Sequence, residues 1–229
     1  MASTSLGNAP SMLQVRAYEY VKKKILNDEM QVGVYYSETK LAQELGISRT
    51  PIRQALHCLS QDGYITIAPS RGFTLRQLTR LDLRETIETR CAIEGFCTYR
   101  LGVQPEEQRR RFVWDINQSL KDMRTAVEKN DMKQFVNCDH LFHLMIVKSA
   151  HNHEFNQIFQ RLMYLVHLTT KSSIEVPGRL EGTVQEHELY VSLLKEKKTT
   201  EAYNLMMKHL MMPLELLGKE FPEEDDMPW

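Results

Sequence analysis

The sequence predicts a mainly α chain in two parts, three short helices with a β-hairpin followed by an all-helical bundle of six (or seven) helices. Three observations carry that prediction. Up to about residue 60 the apolar residues recur at helical spacing, from Tyr64 to Leu75 they alternate, and from Thr79 to about Leu217 helical periods follow one another with hardly a strand signal. The first helix comes from Val15, Tyr18, Val21, Ile25 and Leu26, with Lys22 to Lys24 on its exposed side. In the second, Ser37 suits the N-cap, Leu41, Ala42 and Leu45 form an apolar side, and Gly46 stops the helix at a position suited to positive φ.

Ser48 then caps a third helix, and Pro51 falls in its first turn, where a missing N–H does little harm. Ile52, Ala55, Leu56 and Leu59 recur at helical spacing and face a core, which leaves Arg49, Thr50 and Arg53 outward. Arg49 and Arg53 lie four apart at the helix N-terminus, the end that a recognition helix pushes into the major groove. Tyr64-Ile65-Thr66-Ile67 and Phe73-Thr74-Leu75 alternate around a Pro69-Ser70-Arg71-Gly72 turn, a hairpin with an arginine at its tip. Helix, helix, helix and hairpin in this order make a winged helix-turn-helix.

Charge agrees with a phosphate-binding module. Residues 13–80 carry ten Lys+Arg against six Asp+Glu, hence +4, and with the whole chain at −1 the remainder carries −5. At LAQELGISRTPIRQALHCLSQDGYI and the following PSRGF the chain resembles the GntR family of bacterial transcription regulators, over about Leu13 to Leu78. The resemblance implies that Ser48, Arg49, Thr50 and Arg53 meet operator phosphates and bases while Arg71 and Gly72 reach the minor groove. The chain departs from the family at Asn27-Asp28 and Val32-Gly33, where a Gly and a Pro-Gly are usual, and at Thr39, where some members have a DNA-contacting arginine.

At 229 residues the chain holds one medium and one small domain. We expect a disordered N-terminus at 1-12, the winged helix-turn-helix at 13-78, an all-helical ligand-binding and dimerisation domain at 79-218, and an acidic tail at 219-229. No signal peptide and no run of 18 apolar residues is found, so a cytoplasmic protein without membrane attachment is expected. Cys58, Cys91, Cys97 and Cys138 lack CxxC spacing and read as reduced structural thiols. In the second part, helices are expected near Leu81 to Leu101, Pro105 to Lys129, Met132 to Ala150, His153 to Ser172, Gly182 to Lys197 and Thr200 to Leu217.

Within that bundle Asp139 and His143 lie four apart on one helix face, with Leu141, Phe142 and Ile146 as apolar surroundings. His187 and His209 each sit on a further amphipathic helix, and one aspartate with three histidines could converge on a metal. Spacing alone leaves the bland alternative open, because only Asp139 and His143 have local ligand spacing and a lone histidine on a half-apolar face is usually a hydrogen-bonded core or surface residue. His57, His140, His151 and His153 read as exposed or capping residues, and His167 as a residue that could line a cavity.

These residues resemble the FCD effector domain of the FadR branch of GntR regulators, with six helices pointing to its VanR-like form. Asp139, His143, Glu186-His187 and His209 fall on its pattern, and the resemblance implies that the Asp and three His hold a divalent metal below a pocket for a small carboxylic acid. It further implies that Arg90, in ETRCAIEG, pairs with the acid; the alternative is an i,i+4 pair with Glu94 on a solvated face. Three imidazoles and one carboxylate suit zinc, with nickel, cobalt or manganese as alternatives. The expected protein is no enzyme but a homodimeric, metabolite-responsive regulator of double-stranded operator DNA. A metal-dependent enzyme with an appended winged helix, and a regulator whose effector is the metal itself, are the alternatives.

Overall fold

The computed structural model describes residues 11–217, so the expected acidic tail and all but Ser11 and Met12 of the expected disordered N-terminus lie outside the described residues. The chain divides into two compact units, the first ending at Gln77 and the second beginning at Leu78.

In the first unit, helix α1 (Met12–Leu26) is capped by Ser11 and buries Ala17, Val21 and Ile25, an i, i+4, i+8 seam. Val15 does not join that face. Two residues from Ala17, it points about 200° around the helix and is exposed. Helix α2 (Glu38–Leu45) starts at Ser37, whose hydroxyl accepts from the Lys40 amide at 3.5 Å, and ends at Gly46 in the left-handed region at φ 65°. Helix α3 (Arg49–Gln61) packs Pro51, Ile52, Ala55, Leu56 and Leu59 inward. Ser48 occupies its N-cap position with extended backbone, but its side chain makes no capping hydrogen bond.

Strands β1 (Ile65–Ala68) and β2 (Gly72–Leu75) pair antiparallel, with Ile65 opposite Leu75 and Ala68 opposite Gly72. The segment before α2 extends this hairpin, a feature the alternation did not reveal: Val32 bridges Leu75, and Tyr36 exchanges both backbone hydrogen bonds with Phe73 at 2.7 and 3.1 Å. Gly72 makes that approach possible. At φ 101° its missing Cβ would stand 2.1 Å from the Tyr36 carbonyl oxygen.

The second unit is built from six helices among the described residues: α4 (Arg80–Val103), α5 (Glu106–Glu128), α6 (Met132–Lys148), α7 (His153–Ile174), α8 (Arg179–Lys195) and α9 (Thr199–Leu217). Thr79 and Asp82 form a reciprocal capping box that starts α4. Helix α8 begins three residues before its expected start, because Gly178 at φ 81° makes the turn and leaves Gly182 inside the helix. Ile116, Met123, Phe135, Phe142, Ile146, Phe159, Leu194 and Met206 form a contiguous core. Helices α4 and α9 approach closely at Gly102, whose Cβ would meet the Thr199 methyl at 2.2 Å. All four cysteines are free, with Cys97 and Cys138 buried. No helix among the described residues is long and apolar enough to cross a membrane.

Candidate metal centre and DNA-reading surface

The core that closes the helical unit also carries four potential ligands inward. Asp139 and His143 project from α6, His187 from α8 and His209 from α9, and one donor atom from each lies within 4.8 Å of all the others. Each side chain is buried, from 1 % exposure at His143 and His187 to 8 % at His209. The surroundings are only partly those expected. Phe142 and Ile146 are fully buried, whereas Leu141 is turned to solvent, and the Phe142 ring stacks on His187 at 4.0 Å and 14°. In α9, Pro213 withholds the hydrogen bond that its position would otherwise donate to the His209 carbonyl.

Two carboxylates fix the ring orientations. His143 Nδ1 lies 2.5 Å from Glu94 Oε2, and His209 Nδ1 lies 2.7 Å from Glu186 Oε2. Donation from these Nδ1 atoms leaves each Nε2 with a lone pair, and the lone pairs converge: His209 Nε2 is 3.2 Å from Nε2 of both His143 and His187. Nitrogens so close need a proton or a metal ion between them, and two of the three have their protons drawn to Nδ1 by carboxylates. Metal–nitrogen bonds of about 2.0–2.1 Å set neighbouring imidazole donors roughly 3 Å apart, so the observed spacing fits an ion. Asp139 Oδ1 completes the group at 3.9 Å from His143 Nε2 and 3.8 Å from His187 Nε2, while Thr170 donates to its Oδ2 at 3.3 Å.

Electrostatics agree with a ligand set. Burial, reinforced by neighbouring positive charge, holds the His143 and His187 pKa values well below the usual imidazole range, so both are in the neutral, donor form. Burial pushes the Asp139 carboxyl upward despite the nearby Arg90 cation, and a bound metal ion would favour its ionised form. Glu186 behaves differently. Burial opposes its ionisation most strongly, yet hydrogen bonds from His209 and Arg179 together hold it down at about 2. Arg179 grips both its oxygens, at 2.9 and 2.8 Å.

Arg90 does pair with Glu94, Nε to Oε1 at 2.7 Å, but not on a solvated face: the arginine is 4 % exposed and the glutamate fully buried. One guanidinium nitrogen, Nη2, is buried without a hydrogen-bond partner. Arg90, Glu94 and His143 thus form a continuous chain toward the donor cluster. Sequence reasoning missed Glu94 as the group that orients His143; its signal was the i,i+4 spacing to Arg90 on a helix whose Ile87, Ile93 and Cys97 are buried. His140 also departs from expectation. It is buried, its ring 5.6 Å from that of the buried His167, and its pKa is pushed down to about 3, chiefly by burial. His57, His151 and His153 are exposed.

In the first unit Ser48, Arg49, Thr50 and Arg53 are all exposed at the start of α3, and Arg71 is exposed at the hairpin tip. Arg49, Arg53, Arg71 and Gly72 border a single cleft of about 300 Å³. Glu38 lies within it. Its Oε2 accepts from Arg53 Nε at 2.8 Å and contacts Arg49 Nη2 at 3.4 Å, and the Arg53 hydrogen bond draws the carboxyl below its usual range. The Arg71 guanidinium stands 5.5 Å from the Tyr35 ring centroid.

Comparison with known proteins places these features in a family. The FCD domain family matches residues 85–211, and the family described as bacterial regulatory proteins, gntR family, matches residues 13–75. The HTH-type transcriptional regulator YdhC of Bacillus subtilis is 23% identical over 201 residues, covering 87% of this chain and 88% of that protein. The gluconate operon transcriptional repressor of Bacillus licheniformis is 29% identical over 202 residues, 86% of this chain and 79% of its own. Among solved structures, E. coli McbR/YncC shares the fold with a TM-score of 0.76 at 20% identity, over 92% of this chain and 99% of that one.

Proposed function

Because the chain belongs to the FCD-domain branch of the gntR family, whose members are DNA-binding transcriptional regulators rather than enzymes, we propose that a small carboxylic acid bound over a divalent metal sets its affinity for an operator. The observation that carries this reading is the convergence of Asp139, His143, His187 and His209, with two of the three imidazoles oriented by carboxylates. These four residues would hold the metal, which when bound supplies a Lewis-acid position for a carboxylate oxygen; their nitrogen-rich character favours zinc, nickel, cobalt or manganese. Arg90 supports the acid reading, because its buried, unpartnered Nη2 is the donor a carboxylate would accept from while Nε stays on Glu94.

On the DNA side, Ser48, Arg49, Thr50 and Arg53 would contact the major groove, with Arg71 and Gly72 at the minor groove. Glu38 is then the counterion that holds both recognition arginines until phosphates or bases replace it. In this reading residues 13–78 form the DNA-binding domain and residues 79–218 the ligand-binding domain and homodimer contact, in a cytoplasmic regulator that recognises paired half-sites. A ligand moves operator affinity only by its differential affinity for the two states.

Elemental analysis of the purified chain, followed by titration of labelled operator with metal and candidate acids, tests the proposal. One bound metal per chain and acid-dependent change in operator affinity support it. Absence of stoichiometric metal, or metal binding unchanged in His187→Ala, refutes the site. Operator release on metal alone would make the ion the effector instead.

A further inference from the structure

The cleft between α3 and the wing holds one carboxylate among the arginines that border it. Glu38 is the first residue of α2, where the Ser37 cap and the helix N-terminus both favour a negative charge. A single oxygen, Oε2, lies 2.8 Å from Arg53 Nε and 3.4 Å from Arg49 Nη2. The Arg49 and Arg53 side chains are 55 and 58 % exposed against 21 % for Glu38, so the guanidinium groups meet an approaching duplex before the carboxylate does. Arg71, on the opposite wall of the cleft, is held in another way. Its guanidinium rests against the Tyr35 ring, which positions the charge without neutralising it.

These cations are therefore not equivalent toward DNA. Sequence-independent affinity comes from phosphates that shed their condensed counterions, each cation so used steepening the log–log salt dependence by about 0.9. A phosphate that displaces Glu38 sheds a counterion, but the freed carboxylate takes one up. Charge is exchanged for equal charge, between exposed pairs that are both weak. Matched bases make a different exchange, because guanine offers two acceptors in the fixed geometry of one guanidinium fork. Resting on the DNA reading above, we infer that Glu38 is a specificity-determining residue: it withholds Arg49 and Arg53 from the phosphates of unmatched DNA and yields them to the operator, leaving Arg71 as the arginine of this cleft that engages any duplex.

Binding titrations of the full-length protein from low to high salt test this on two labelled probes, a random-sequence duplex and the duplex that the parent enriches from a random pool. In Glu38→Gln the salt slope on the random duplex should steepen by about 1 to 2, and the preference for the enriched duplex should fall about fivefold or more. Glu38→Ala should steepen the slope likewise. Arg49→Ala combined with Arg53→Ala should leave the parent's slope on the random duplex within about 0.4, yet abolish the steepening when added to Glu38→Gln. Arg71→Ala should flatten the parent's slope by about 0.9. An unchanged slope in both Glu38 variants, or a steepening that persists without Arg49 and Arg53, overturns the inference and leaves the DNA reading intact. A parent protein that enriches no duplex overturns both.

Discussion

Replacing Glu94 by Gln probes the connection between Arg90 and the donor cluster with almost no change in shape. Glu94 is fully buried, its Oε1 accepts from Arg90 and its Oε2 faces His143 Nδ1. The amide can still accept from one neighbour, but it presents an N–H₂ to the other and removes the carboxylate charge that pairs with a 4 % exposed arginine. Breaking a buried pair from one side costs about 3–5 kcal/mol, and at about 2–4 °C per kcal/mol for a unit of this size the metal-free melting temperature should fall by roughly 6–20 °C. Loss of the group orienting His143 should separately weaken metal binding by about 10–100-fold. Thermal denaturation in chelator measures the first effect, and competition with a zinc indicator measures the second. A melting shift below about 2 °C together with zinc affinity within about threefold of the parent would refute the reasoning.

The other expectations concern each unit separately. Arg49→Ala or Arg53→Ala should weaken specific operator binding by about 1–3 kcal/mol with the fold intact, whereas Arg71→Ala should lower affinity more evenly across sequences; titration of specific and scrambled duplexes distinguishes them. Gly72→Ala must displace the Tyr36 carbonyl that its Cβ would meet at 2.1 Å, so the wing should loosen, seen as faster amide exchange at Tyr36 and Phe73. For the metal-free protein, His140, His143 and His187 are neutral when folded, with pKa values below the unfolded 6.5. Below about pH 6.5 only the unfolded chain takes up these protons, so stability should fall as pH drops from there toward the folded values, about 3 for His140. A melting temperature flat between pH 7 and pH 5 would contradict that.

The helices and hairpin were legible because their signals are local. Ser37, Gly46 and the Ile52–Leu59 stripe specify the helix-turn-helix from within a few residues, and α4 to α9 follow from repeated apolar periods. What escaped was non-local. The pairing of Tyr36 with Phe73 joins residues with no shared period, and Glu38 meets Arg49 and Arg53 only because two helix starts come together. The four donors could be nominated from sequence with the help of resemblance, yet their convergence depends on three helices. Burial separated readings that spacing could not: Arg90 and Glu94 have the same i,i+4 relation on a wet face or a dry one, and His140 looked like its exposed neighbours until α7 covered it.

The depth of the donor cluster has a kinetic consequence. Asp139, His143, His187 and His209 are between 1 and 8 % exposed, and they are carried by three helices, α6, α8 and α9, locked by their own core residues. A small acid can reach one open position on an ion among them, but complete transfer of that ion to a chelator must break four protein bonds and so requires α6, α8 and α9 to part locally. Metal exchange should thus share the rate of that opening, rising with mild denaturant and nearly indifferent to chelator concentration once the chelator is in excess. A regulator built this way would retain one ion through many cycles of effector arrival and departure, leaving the acid as the component that changes on the timescale of a response.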